Sequence, residues 1–291
     1  MNVKYIILGK TGYIAKAISK ELNSRSIPHA TLSRSSVDYT DPACFDSWMH
    51  LNHNSGIGTK SATIINCAGF IGKPNVDACE DKLQDTLKGN VLLPHSLLHL
   101  NASRGQPLVH ISSGCIYNGY EKKYTESCPS DFDFNNGSVY SGTKAMAETV
   151  IRDHTDRHYI FRLRIPFDHH KSPRNYITKM LSYDTLLDAE NSMSNRSDFA
   201  KAVIDLLEMK APHGTYNITN PGSMTTSEVV ELIKKHISPD REYKFFTDFE
   251  EFYKHAKAPR SNCVLDTTKI ESLLKITPLH DSMEQSIMKY T

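Results

Sequence analysis

Tyr140 and Lys144 stand four residues apart, the spacing that places two side chains on one face of a helix. A free phenol, with a pKa of about 10, is a poor acid or base near neutrality. A neighbouring ammonium favours the phenolate, so Lys144 is expected to bring Tyr140 toward its working range. Spacing alone does not single out this pair, because Tyr253 and Lys257 repeat it. Position does: Tyr140 opens an apolar helical stretch after a β-rich run, whereas no such run precedes Tyr253. Ser112-Ser113-Gly114-Cys115 directly follows that run, where a hydroxyl reaches the oxygen of a carbonyl undergoing reduction. Cys115 adds a thiol, a group that becomes a usable base when its surroundings favour the thiolate.

A second constellation binds phosphate. Gly9-Lys10-Thr11-Gly12-Tyr13-Ile14-Ala15 lies between a strand and a helix. Gly9 permits the tight turn, Gly12 lets the backbone approach a pyrophosphate at the helix N-terminus, and Ala15 takes the position where a small residue allows close packing. Gly9, Thr11, Gly12, Tyr13 and Ile14 are therefore expected to line a dinucleotide. A site for NAD would carry an acidic residue at the end of the second strand, but Thr31-Leu32-Ser33-Arg34 stands there. The Arg34 guanidinium, beside Ser33, suits a 2′-phosphate, which favours NADP(H) with NAD(H) as the alternative. Cys67, Ala68 and Gly69 end the third strand, where small residues let the backbone lie beside a cofactor ribose.

The elements that must hold these residues are short strands alternating with helices, the pattern of a doubly wound α/β fold with a parallel sheet. Strands are expected at 4–8, 30–32, 63–66, 108–111 and 159–164. Helices are expected at 13–22, 86–103, 141–154, 198–209 and 226–236, the last opened by the capping box Thr225 to Glu228. Residues 42–60 are the least regular stretch, with 51–59 resembling an insertion. We expect a Rossmann domain over 1–166, rejoined by 196–218, and a smaller C-terminal substrate-binding lobe from 167–195 and 219–291.

Composition narrows the class. A 291-residue chain with 39% hydrophobic residues can bury a sizeable core. A net charge of +1 gives no reason to expect nucleic acid or membrane as partner, and no apolar run is long enough to span a bilayer. The N-terminus leads straight into a strand without a leader pattern, so a reducing cytoplasm is the expected location. Six cysteines and fourteen histidines show no metal-type spacing, and neither a metal nor disulfides are expected.

Several segments together carry a resemblance. The 72–80 segment (Gly-Lys-Pro-Asn-Val-Asp-Ala-Cys-Glu), Ser113-Gly114-Cys115-Ile116, Pro173-Arg174-Asn175-Tyr176-Ile177-Thr178-Lys179, Asn191-Ser192-Met193-Ser194, Thr219-Asn220-Pro221-Gly222 and Ala258-Pro259-Arg260-Ser261-Asn262 occur in this order. With the Tyr/Lys pair and the glycine turn, the chain resembles the UDP-4-keto-6-deoxyglucose 3,5-epimerase/4-reductases, which include the C-terminal half of plant rhamnose synthases. More distantly it is similar to dTDP-4-dehydrorhamnose reductase and GDP-fucose synthase, all extended short-chain dehydrogenase/reductases. The resemblance runs from Gly9 to about Ile270, and only 42–60 has no counterpart.

That resemblance implies a bifunctional enzyme making UDP-L-rhamnose. It assigns Ser113, Tyr140 and Lys144 to reduction, the last two also touching the cofactor. It makes Cys115 and Lys179 the epimerase pair, with His169 and His170 as rival acids. Lys73, Asn75, Asn175 and Arg260 are placed near sugar or diphosphate, and a homodimer is implied. The alternatives are a 4-keto reductase served by a separate epimerase, which does not need Cys115, and a non-catalytic regulatory subunit, which does not need the Ser113, Tyr140 and Lys144 set.

Overall fold

Along the first strand Tyr5 and Ile7 pack to one side, Ile6 and Leu8 to the other, and all four are buried. A strand apolar on both faces belongs inside a parallel sheet covered by helices on each side. The computed structural model describes residues 3–53 and 58–291 and has that arrangement. Strands β1 (Tyr5–Leu8), β2 (His29–Leu32), β3 (Thr63–Asn66), β4 (Leu108–Ser113), β5 (His158–Leu163) and β6 (Gly214–Asn217) form one parallel sheet in the order β2-β1-β3-β4-β5-β6. Helices α1 (Tyr13–Ser24) and, later in the chain, α6 (Arg196–Glu208) bury Ile18, Leu22, Phe199 and Val203 against one face. The other face is covered by α2 (Pro42–Leu51), α3 (Leu93–Ser103) and α4 (Val139–His154) through Phe45, Met49, Leu97 and Ile151.

The chain leaves β1 for β2 on one side and returns to β3 on the other. The loops after β1 and β3 therefore diverge, opening a crevice at the carboxyl ends of the strands. Beyond β5, a separate cluster gathers Phe167, Ile177, Met193, Val229 and Met283 from α5 (Tyr176–Ser182), α7 (Thr226–His236), α8 (Leu279–Met288) and the connections between them. Residues 263–265 turn back to pair with 119–124 beside the end of β4. Among the described residues no helix is long and apolar enough to cross a membrane, and all six cysteines are free.

Two elements depart from the sequence reading. Residues 42–51, expected to be irregular, form α2. Asp41 accepts the N–H groups of Ala43 and Cys44 at 2.9 and 3.1 Å, and Pro42 sits at the first helical position, where its missing N–H is not needed. Residues 54–57 of the expected insertion lie outside the described residues. The single helix expected over 86–103 is interrupted: Leu83–Leu87 passes through a π turn at Lys88–Leu92 before α3 begins.

One ion pair ties α4 to the sheet. Arg162 Nη2 lies 2.6 Å from Glu148 Oε2, and both side chains are fully buried. Burial opposes ionisation of Glu148, but Arg162 and a 2.5 Å bond from Ser112 Oγ hold the carboxyl below its usual range. Replacing Arg162 by Met should leave the buried Glu148 carboxylate with only Arg152, at 3.0 Å, and Ser112 as partners and cost about 1.5–3 kcal/mol, read as a shift in the urea midpoint. A loss under about 1 kcal/mol would mean that the carboxylate finds another partner.

Candidate active site

The turn after β1 is pinned to the end of β2, because Gly9 and Lys10 donate to the Leu32 carbonyl at 3.0 and 2.9 Å. Gly9 has φ +87°, and a Cβ there would lie 3.1 Å from the Ala68 backbone. Glycine is thus required both by conformation and by contact with the turn after β3. Gly12 caps α1 without a side chain, which leaves the first-turn N–H groups facing the crevice for an anion. Arg34 is exposed two residues past Leu32, in the field of Asp38 and Tyr39, and no ion pair holds it among the described residues. Ser33 closes a small turn with Ser35 and Ser36. Tyr13 is covered by Arg196, whose guanidinium lies 4.3 Å from the ring centre. The three strand ends therefore offer a glycine turn, an uncapped helix N-terminus and an exposed guanidinium that would suit a dinucleotide.

Tyr140 sits in the first turn of α4. Ser138 and Ser141 close a capping box there, and Glu80 Oε1 accepts the Val139 N–H at 2.9 Å. Burial pushes the Tyr140 phenol up, as does Cys115, while the Ser113 hydroxyl at the end of β4 and the Arg174 charge oppose this. Burial outweighs the expected lowering by Lys144, whose Nζ donates to the Ile111 carbonyl at 3.0 Å and meets His110 Nε2 at 3.1 Å. The Tyr140 phenol therefore stays protonated at neutral pH. Burial pulls Lys144 down to about 8, against the opposing charge of Glu148.

His110 joins this ammonium to the third strand, since Asn66 Nδ2 lies 3.1 Å from His110 Nδ1 and Asn66 Oδ1 accepts the Ala68 N–H at 3.1 Å. Burial holds His110 well below its ordinary range, and Lys144 adds to the effect. A neutral imidazole has a single acceptor nitrogen, so it cannot accept from both Asn66 and a charged Lys144. Asn90, in the π turn, clamps Phe70 through bonds of 2.7 and 2.9 Å and reaches Thr143 Oγ1 at 3.1 Å. That turn thereby fixes the Cys67–Phe70 loop against α4.

Cys115, in a short turn after Ser113, lies in the electrostatic field of Tyr140, Lys144 and Lys179 together. Lys179, in the middle of α5, is pulled down by burial and then by Arg174 and Arg260. His169 instead faces His170, Asp168, Lys20 and Lys289, away from this group. Tyr253 and Lys257 share no helix, since the helix ends at Tyr253, and Lys257 pairs with Asp81.

The substrate positions divide. Arg260 forks onto Asp77 at 2.7 and 3.0 Å, and Asn75 Oδ1 accepts the Asp77 N–H at 2.8 Å. Both therefore order one face of the loop that also carries exposed Lys73. Asn175 is fully buried and saturated: its carbonyl accepts the Ile177 N–H and its amide donates to the carbonyls of Asp168 and His170. It thereby caps α5. Arg174, next to it, is the residue the sequence reading passed over. It donates to the Gly72 carbonyl at 2.9 Å and acts on both Tyr140 and Lys179.

The sequence pattern of the RmlD substrate binding domain matches residues 3–291. An Arabidopsis thaliana bifunctional dTDP-4-dehydrorhamnose 3,5-epimerase/dTDP-4-dehydrorhamnose reductase is 31% identical over 99% of this chain and 92% of its own length. The trifunctional UDP-glucose 4,6-dehydratase/UDP-4-keto-6-deoxy-D-glucose 3,5-epimerase/UDP-4-keto-L-rhamnose-reductase of the same plant is 30% identical over 99% of this chain, which spans only 42% of that protein. Among solved structures, the L780 UDP-rhamnose synthase of Acanthamoeba polyphaga mimivirus superposes with a TM-score of 0.87 at 25% identity, covering 99% of this chain and all of that one.

The protonation states give a directional test. Tyr140 stays protonated through neutral pH, whereas Lys144 loses its charge around pH 8, and with it the support for a developing phenolate. Carbonyl reduction should therefore decline above about pH 8. A pH profile of kcat checks this, and a rate flat to well above that point would show that the ammonium is not used.

Proposed function

The chain belongs to the RmlD substrate-binding domain family, and on that premise we propose that it makes UDP-L-rhamnose from UDP-4-keto-6-deoxyglucose, by 3,5-epimerisation followed by NADPH-dependent reduction at carbon 4. The observation that carries this reading is that half-buried Cys115 lies close enough to Tyr140, Lys144 and Lys179 to act electrostatically on all three. The nucleotide-sugar would lie between that crevice and the side chains contributed by 167–195 and 219–291. A ketone at carbon 4 acidifies the hydrogens on carbons 3 and 5. The Cys115 thiolate removes such a proton, the electron pair delocalises onto the ketone oxygen, and Lys179 returns a proton from the opposite face. Ser113 and Tyr140 hold the carbonyl oxygen, and Tyr140 protonates the alkoxide formed there. Bound NADPH supplies the hydride. Arg174 and the loop bearing Lys73 and Asn75 present positive charge and polar groups to the diphosphate.

Epimerisation needs no hydride, so it should proceed without cofactor. In deuterated water the enzyme alone should introduce deuterium at carbons 3 and 5 of UDP-4-keto-6-deoxyglucose, read by NMR. Cys115→Ala should abolish exchange, whereas Tyr140→Phe should keep most of it while slowing reduction by roughly 100- to 10,000-fold. An enzyme that reduces the epimerised sugar yet shows no exchange is a reductase alone.

Cofactor choice has its own test. Arg34→Ala should weaken NADPH binding about ten- to a hundredfold, the loss of one charge-assisted contact, with little change for NADH. Equal losses for both would remove Arg34 from the 2′-phosphate.

A further inference from the structure

Arg164 lies just past β5 and is 1% exposed. Its Nε donates to Asn191 Oδ1 at 3.1 Å, and Nη2 donates to the same oxygen and to the Ser261 carbonyl at 2.6 Å. Its Nη1 donates to Ser261 Oγ at 2.9 Å and points to Cys115 Sγ at 4.0 Å. Every oxygen in this set is neutral. No carboxylate forms an ion pair with Arg164 among the described residues, although a buried guanidinium normally requires one. Buried Arg162, two residues earlier, has Glu148. The one group bonded to Arg164 that can become an anion is the Cys115 thiol.

We propose that Arg164 is the positioning residue that holds Cys115 as a thiolate, forming the counter-charge for the proton-abstracting step. This rests on the reading of Cys115 as the epimerase base. The local architecture enforces the contact. A Cβ on Gly114 would lie 2.8 Å from Leu265 and 3.4 Å from Arg164 Cδ, so the glycine lets the arginine stem run under the turn that carries Cys115. Asn191 is itself locked, accepting the Cys263 N–H at 3.1 Å and donating to Asn262 at 3.0 Å, which fixes the guanidinium plane. The other groups in the field of Cys115 are Tyr140, Lys144, Lys179 and Cys263. Tyr140 is held protonated and Cys263 is a buried thiol, so neither competes as an anion. Once the thiolate has taken a proton, the negative charge resides on the sugar's ketone oxygen and Arg164 faces a neutral thiol. Return of that proton to solvent or to the sugar restores the pair.

The test is site-resolved alkylation of the whole enzyme with iodoacetamide between pH 5 and 9, Cys115 being followed by mass spectrometry of its peptide. Arg164→Met should slow Cys115 labelling at neutral pH by roughly tenfold or more and displace its pH profile upward. Arg164→Lys, which keeps the charge, should recover part of the rate. Solvent deuterium exchange into the keto-sugar should fall at least tenfold more in Arg164→Met than reduction of the epimerised sugar does, and Arg164→Lys serves again if the Met variant does not fold. Equal labelling of Cys115 in parent and both variants overturns the proposal while leaving Cys115 as base. Absence of exchange in the parent instead removes the epimerase reading, and labelling still decides whether Arg164 sets the thiol's charge.

Discussion

Arg162 and Arg164 stand two residues apart at the end of β5, and both guanidinium groups are removed from water. Arg162 meets Glu148 in a bidentate contact and joins α4 to the sheet. Arg164 meets neutral oxygens and a thiol. Lys144 is in a similar position, with its nearest carboxylate, Glu148, already committed to Arg162. The region at the carboxyl ends of β4 and β5 therefore carries two buried cations, Arg164 and Lys144, whose nearby carboxylate is already paired with Arg162. That imbalance is costly in an isolated fold and becomes favourable when negative charge develops in the pocket.

Its consequences can be followed group by group. Desolvation makes Lys144 easier to deprotonate and Tyr140 harder to deprotonate, so the acid keeps its proton and the cation stays poised. Lys179 is depressed by the same burial together with Arg174 and Arg260, which eases the release of its proton. Both effects depend on rigid supports. His110 and the Ile111 carbonyl hold the ammonium, the Asn90 clamp holds the loop after β3, and Glu80 with the capping box holds the start of α4.

The parts of this arrangement that are local in sequence were legible there. Strand β1, the Gly9–Ala15 turn and the Tyr140–Lys144 helix each announce themselves within about ten residues, through alternation, small residues and i,i+4 spacing. Helix α2 was equally local, with Asp41, Pro42 and the Phe45–Met49 pair all visible, and its signal was overlooked. Other features were not legible because they join distant segments. Arg164 acquires its meaning from Asn191 and Ser261, and Glu80 from Val139. Asn175 lies in a recognisable motif, but its structural part, capping α5 and bonding the carbonyls of Asp168 and His170, is set by the fold. Polarity marks a residue as engaged, and only the fold says with what.

The two halves of the proposed chemistry rest on different parts of that fold. The proton donor for reduction and its cation come from β4 and α4, inside the parallel sheet and its helical cover. The carbon acid–base pair comes from the turn after β4 and from α5, outside the sheet, with Arg164 and the 258–265 segment beneath it. A Rossmann sheet with only its Ser113, Tyr140 and Lys144 set has what carbonyl reduction needs. What turns such a site toward epimerisation is a thiol two residues past the serine, together with a buried positive charge that lets it exist as an anion. In this fold that charge enters from the end of β5 beside the turn at Gly114 and Cys115, so the groups on which the proposed second activity rests lie outside the α4 helix that carries Tyr140 and Lys144.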